Sequence, residues 1–346
     1  MYSDESDTGQ DMLAISLGKM PTRALDSRVG NRVQGLEMPE QVGRALPHRI
    51  SASNKGHAND RQQRDQSGNN ENIYLRASLE GQQIGDYTLL RQIGRGGYAS
   101  IYLGMHTYLG TRAALKLVNL HYTSHDDLLS FQFEARLLAH LRHRHIVRAL
   151  DFGWEEGTPY LVMAYAPGGT LRQRFPAGVP LPLDAVLPAV MQIASALQYA
   201  HNHRLIHCDV KPANVLLGPH NEIWLGDFGI AITTTDNRPC NPGLVRGTAE
   251  YLAPEQISGH PLPASDQYAL AVMVYQWLCG ELPFQGTVLH MCLHHLSTPP
   301  PRLRDRTSAI SRPVESVVMK AMTKDPSRRF AHVLEFAQAL ERASQQ

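Results

Sequence analysis

The sequence predicts a mixed α+β fold, with its strands gathered ahead of its helices. Two observations carry this. From Asp86 onward, short strand-like runs at 87–93, 100–104 and 111–118 are broken by glycine-containing turns. Further along, apolar residues at helical spacing mark 126–141, and 184–203 and 333–342 also read as helices. The longest apolar run, 268–279, is too short to span a bilayer and fits a buried core helix. Strands followed by helices are the α+β pattern.

Composition sets the outer bounds. The chain has 346 residues, 42% hydrophobic and 19% charged, as expected of a globular protein with ample material for a core. A formal net charge of +1 gives no electrostatic reason to expect nucleic-acid or membrane-surface binding. Cys208, Cys240, Cys279 and Cys292 are widely spaced and form no C-x-x-C pair, which points to a reducing, cytoplasmic setting. Residues 1–11 are acidic and lack the apolar stretch of a signal peptide. Residues 1–82 follow neither a helical nor a strand period and are expected to be a largely disordered extension. The tract 54–72 is the clearest case, since it has almost nothing to bury against the entropy of ordering.

Taken in order, the first hairpin turns through Gly94, Gly96 and Gly97, and Ala99 follows. The third strand, 111–118, carries Lys116 in an otherwise apolar run; a buried lysine is costly unless paired, so a partner should exist. Glu134 shares the inward stripe of helix 126–141 with Leu137, Leu138 and Leu141 and is the candidate, the alternative being a solvated glutamate on the helix edge. Asp126 and Asp127 suit the N-terminal end of that helix dipole. His140, His143 and His145 stand among arginines with no cysteine or carboxylate to complete a metal set, and read as a basic helix end. Residues 160–166 form a strand closed by Pro167-Gly168-Gly169.

The stretch Ile206-His207-Cys208-Asp209-Val210-Lys211-Pro212-Ala213-Asn214 concentrates the chemistry. Asp209 can accept a hydroxyl proton, and Asn214 offers a carbonyl oxygen. Asp227-Phe228-Gly229 supplies a second carboxylate beyond a short hairpin, so two hard-oxygen ligands suited to Mg²⁺ flank that hairpin. In order and spacing these pieces resemble the catalytic loop and metal-binding motif of the protein-kinase superfamily, with Cys208 where an arginine is expected. The resemblance extends to Gly94-Arg95-Gly96-Gly97, to Ala113-Ala114-Leu115-Lys116, and to Gly247-Thr248-Ala249-Glu250-Tyr251-Leu252-Ala253-Pro254-Glu255. Arg329 matches an arginine that pairs with Glu255, and Asp266 an aspartate that anchors the catalytic loop.

The resemblance implies a two-lobed domain over 86–342. A small five-stranded lobe with one helix, about 86–163, would stand over a mainly helical lobe, about 167–342. ATP and Mg²⁺ would bind between them. Gly94, Gly96 and Gly97 would let backbone N–H groups approach the phosphates. Adenine would meet the backbone at Ala164 and Ala166, with Met163 as gatekeeper and Ile101, Ala114 and Leu216 as its apolar sandwich. Lys116, oriented by Glu134, would hold the α/β-phosphates, and Asn214 and Asp227 the metal. Asp209 would deprotonate the acceptor, Lys211 would neutralise the γ-phosphate, and Thr248 would bridge the two. Lys211 two positions after Asp209 resembles the Ser/Thr branch, so protein substrates with Ser/Thr acceptors are expected. Leu205-Ile206-His207 and Ala264-Ser265-Asp266-Gln267 are similar to bacterial members. Ala213 stands where many kinases of basic peptides carry an acidic residue. The alternative is a pseudokinase, a scaffold that binds nucleotide or partners without catalysis; Cys208 and Ala99 favour it.

Overall fold

The computed structural model describes residues 79–96, 99–119, 124–229, 231–233 and 247–346. The expected N-terminal extension lies outside the described residues except at 79–82. Its first sheet is antiparallel throughout: β1 (Gln83–Ile84), β2 (Tyr87–Arg95), β3 (Ala99–His106), β4 (Arg112–Val118), β5 (Ala149–Glu155) and β6 (Thr158–Ala164) lie in the order β1-β2-β3-β4-β6-β5. The sheet has one strand more than the five implied above. Ile84 of β1 pairs with Tyr87, and the Gly81 N–H donates to Leu89 O at 2.8 Å, so residues 79–82 are tied to β2 although their composition resembles the extension.

β4 is buried on both faces, which is why it reads as an unbroken apolar run. Ala113, Leu115 and Leu117 face an outer cluster with Leu89, Tyr160 and Val162. Ala114 and Val118 join the main core with Phe131, Leu138, Leu161 and Met163. Strict alternation therefore puts Lys116 on the Ala114 face, toward helix α1 (His125–His140). Ser124 caps α1, accepting from the Asp127 N–H while the Asp127 carboxylate accepts from the Ser124 N–H. Both aspartates in its first turn suit the positive end of the helix dipole.

Beyond Ala164 the chain is mainly helical: α2 (Leu171–Arg174), α3 (Leu183–Asn202), α4 (Pro254–Ile257), α5 (Pro263–Cys279), α6 (Val288–Ser297), α7 (Leu303–Arg306), α8 (Arg312–Ala321) and α9 (Val333–Ser344). α5 is buried on every side, with Tyr268, Leu270, Val272, Met273, Val274 and Tyr275 fully enclosed, as a helix with no polar face must be. Proline in its first turn removes an N–H that would lack a partner, and Gly280 ends it at φ +78°, where a side chain would be strained. Among the described residues no helix is long and apolar enough to cross a membrane.

Two short ladders lie between the sheet and the helices. β8 (Val215–Leu217) and β9 (Ile223–Leu225) form a hairpin closed by the Gly226 N–H on Asn214 O at 2.9 Å, which draws Asn214 and Asp227 together. β7 (Leu205–Ile206) pairs antiparallel with β10 (Ile232–Thr233), setting the chain after Asp227 beside the chain before Asp209.

Candidate active site

The Lys116 ammonium donates to Glu134 Oε2 at 2.7 Å and to Asp227 Oδ1 at 3.1 Å. The lysine and glutamate side chains are 8% and 1% exposed, whereas 48% of the Asp227 side chain remains open. Burial pushes the Glu134 carboxyl up, while Lys116 pulls it down. For Asp227 the Lys116 charge dominates and holds the carboxyl below its usual range. Glu134 Oε1 has no hydrogen-bond partner among the described residues, so the helix glutamate spends one oxygen on the lysine and buries the other at a cost.

Asp209 gathers the second group. Its Oδ1 accepts the Thr248 hydroxyl at 2.7 Å; its Oδ2 accepts Lys211 Nζ at 2.6 Å and Asn214 Nδ2 at 3.0 Å. Lys211 Nζ also donates to Thr248 Oγ1 at 2.7 Å, so the threonine accepts from one residue and donates to the other. Asn214 Nδ2 is consumed by the Asp209 side chain and main chain, which leaves its carbonyl oxygen as the group it can offer an ion. Asn214 and Asp227 thus form an oxygen donor pair that fits a hard cation.

The backbone of this loop is held under strain. Cys208 and Asp227 both sit in the left-handed region, at φ +66° and +60°. Asp266 accepts the His207 and Cys208 N–H groups, each at 2.9 Å, and its Oδ2 meets His201 Nε2 at 2.8 Å. From the other side Gln256 Nε2 donates to Cys208 O at 2.6 Å. His207 is wholly buried; it accepts the Asp209 N–H on Nδ1 and donates from Nε2 to Gly226 O, while its ring packs 4.7 Å from that of Phe228. The Cys208 thiol is buried and lies 3.7 Å from Ile206 O.

Of the apolar residues expected to enclose a base, Ala114 stands opposite Met163 on neighbouring strands, and Ile101 and Leu216, both half-buried, pack against the same large core cluster. Ala164 has its N–H committed to Arg148 O at 2.9 Å, so it can contribute only a carbonyl. Ala166 has its carbonyl engaged by the Gly169 N–H at 3.3 Å, so it can contribute its N–H. Gly94 lies opposite Ile101, and a Cβ on it would stand 3.4 Å from that side chain. The Gly96 N–H donates to Ala99 O at 2.8 Å; Gly97 lies outside the described residues.

Gly247 opens the segment facing the loop at φ +121°, where a Cβ would stand 3.0 Å from Cys208 O; no other residue could pass there without a shift. At the segment's far end Glu255 receives a two-pronged contact from Arg329, 2.7 and 2.8 Å, and a further bond from Ser265. The arginine also reaches the carbonyls of Ala264 and Thr323.

Two clusters were visible in the sequence, the Lys116–Glu134 pair and the Asp209–Asn214–Asp227 set. Gln256 and His201 were not, because each acts through a contact between distant segments that no local period records. His143 and His145 serve packing: one stacks on Tyr199 at 5.0 Å and the other bonds Ile223 O.

Residues 87–342 match the protein kinase domain. The chain belongs to the protein kinase family. It is 37% identical over 273 residues to the serine/threonine-protein kinase PknF of Mycobacterium tuberculosis, covering 75% of this chain and 57% of that one. Pkn1 of Myxococcus xanthus is 36% identical over 76% of this chain and 39% of its own length. PrkC of Bacillus subtilis is 34% identical over 73% and 40%. Both carry the same serine/threonine-protein kinase description. The chain spans about two-fifths to three-fifths of the length of these relatives. As a kinase it is expected to use ATP, and its catalytic loop keeps the family's order with Cys208 in place of arginine.

Proposed function

We propose that this kinase transfers the γ-phosphoryl group of ATP to serine and threonine hydroxyls of proteins, itself included, in intracellular signalling. The observation that carries the reading is the Thr248 hydroxyl joined at 2.7 Å to both Asp209 and Lys211, since it ties the base, the cation and the segment that receives the acceptor into one unit.

In this reading Asp209 receives the acceptor's proton as the Ser or Thr oxygen attacks phosphorus. The bond from phosphorus to the bridging β-phosphate oxygen breaks and ADP leaves. Asp209 keeps a lone pair on Oδ1 for that proton beside the Thr248 bond. Lys211 offsets charge on the transferred group, and Lys116, steadied by Glu134, holds the α/β-phosphates. Positioning and charge neutralisation supply most of the acceleration such a transfer needs. Asn214 and Asp227 would hold Mg²⁺, which when bound would screen the phosphate charge. The Ala164 carbonyl and the Ala166 N–H match the donor and acceptor along one edge of adenine. Phosphate chemistry with ATP favours the cytoplasm.

Labelled ATP·Mg²⁺ with a mixed Ser/Thr peptide array tests this. Incorporation should appear on Ser or Thr and vanish in Asp209→Asn. Label on tyrosine alone, or none in wild type that binds nucleotide, would overturn it.

A further inference from the structure

A buried polar chain runs from the large lobe to the peptide-facing segment. Lys324 Nζ donates to Tyr268 Oη at 3.3 Å and to His294 O at 3.1 Å. An ammonium has no acceptor capacity, so Tyr268 must direct its own proton onward. It meets His295 Nδ1 at 2.9 Å, and His295 Nε2 stands 3.1 Å from Glu250 O. The lysine therefore fixes the tautomer: Nδ1 accepts, and the ring's one proton is on Nε2, donated to Glu250. Tyr268 and His295 are fully buried, and the Phe284 ring lies edge-on to the imidazole at 5.0 Å. Burial first, then the Lys324 charge, holds the imidazole neutral.

Glu250 belongs to the short turn Ala249–Tyr251 that follows Thr248 directly. The turn is tied above by Thr248 to Asp209 and at its end by the Tyr251 hydroxyl to Gln276 at 2.8 Å. Below, the carbonyl of its middle residue rests on His295. None of the motifs that mark the reaction centre includes this histidine.

We propose that His295 is a positioning residue for the acceptor: its Nε2–H sets the height of the 249–251 turn, and with it the path of a bound peptide relative to Asp209. This rests on the Ser/Thr kinase reading above. A loose turn should weaken peptide engagement while leaving the nucleotide site intact, because Lys116, Glu134 and Asp227 bond to one another whereas the histidine bonds to Tyr268 and Glu250.

The test compares His295→Phe, which keeps a ring but removes both bonds, with His295→Gln, whose amide can donate to Glu250 and accept from Tyr268. The probe is the best peptide from the Ser/Thr array. The phenylalanine variant should raise peptide KM at least ten-fold with kcat and the KM for ATP within three-fold of wild type, and glutamine should recover most of the loss. Deuterium uptake over 247–255 should rise in step. If the phenylalanine variant does not fold, Tyr268→Phe decides, since loss of the hydroxyl removes the bond that holds the ring toward Glu250 and should raise peptide KM in the same direction. Unchanged peptide KM and unchanged uptake in an active, folded variant would overturn the proposal. Wild type that transfers no phosphate, combined with raised uptake in the variant, would instead remove the kinase reading and leave the positioning role.

Discussion

The carboxylate of Asp266 accepts the N–H of Cys208 at 2.9 Å and so holds that residue at φ +66°. A non-glycine residue in this region costs about 1 kcal/mol or more, which the buried anion offsets. Asp266→Asn exchanges one acceptor oxygen for an N–H that faces other donors. We expect it to lose about 2–4 kcal/mol of stability, by the cost of breaking a buried charged network. Phosphate transfer should fall at least 100-fold. A chemical-denaturation curve and kcat/KM for peptide check both.

Glu134 ties stability to activity. It is buried, and its Oε2 is the partner that holds the buried Lys116 ammonium. Glu134→Gln keeps the volume but leaves that ammonium with the half-open Asp227 carboxylate as its counter-charge, so stability should fall by about 3 kcal/mol, the cost of removing one partner of a buried pair. Transfer should fall at least ten-fold because Lys116 loses its orienting anion. A variant that retains full transfer would contradict this assignment.

Arg329→Lys tests the far end of the 247–255 segment. The guanidinium's two parallel bonds to Glu255, with both side chains nearly or wholly buried, cannot be copied by a single ammonium. Stability should drop by about 1–3 kcal/mol, the cost of leaving a buried carboxylate oxygen without its hydrogen bond. Thermal melting should show it.

Acid should destabilise the domain before carboxylates titrate. His143, His145 and His295 are held below the ordinary histidine value, His295 down to about 4, each mainly by burial. Below the unfolded value of 6.5 the unfolded chain takes up protons that the folded chain refuses, so stability falls as pH drops. For His295 the window runs from 6.5 to about 4. Its slope is at most about 1.4 kcal/mol per pH unit, less for the more exposed pair. Melting temperatures between pH 7.5 and 5 should decline, and His295→Gln should flatten the decline.

Cys208 bears on control. Its buried thiol points to the Ile206 carbonyl, and it has neither the length nor the charge to reach a phosphorylated segment. The chain after Asp227 carries three hydroxyls, Thr233, Thr234 and Thr235, that could take a phosphate; Thr234 and Thr235 lie outside the described residues. Changing all three threonines to alanine should lower peptide phosphorylation by no more than a few-fold. A loss of about 100-fold, or 2.7 kcal/mol of transition-state stabilisation, would mean that another cation has taken the missing arginine's role.

Legibility in the sequence followed how local each signal was. Lys116 stood out because a cation in a run buried on both faces demands a partner, and Glu134 because it shared a helical stripe with leucines. Asp209, Asn214 and Asp227 lie close enough in the chain for one hairpin to unite them. By contrast β1 is only Gln83–Ile84, too short for a period to show. The contacts of His201 with Asp266, Gln256 with Cys208 and His295 with Glu250 join segments far apart in sequence. A histidine pair in a helix such as His294-His295 carries no sign of which ring turns inward.

Whether Asp209 is the base of a Ser/Thr phosphotransferase is measured by comparing wild type with Asp209→Asn in labelled ATP·Mg²⁺, with sites located by mass spectrometry. Asparagine can keep the bond from Thr248 but gives up the oxygen that accepts from Lys211 and Asn214, and it cannot take a proton. Wild type should yield phosphoserine or phosphothreonine, and the variant should fall by about 1000-fold or more with nucleotide binding retained, in the range expected when a positioned base is lost. Transfer by Asp209→Asn at the wild-type rate would contradict it.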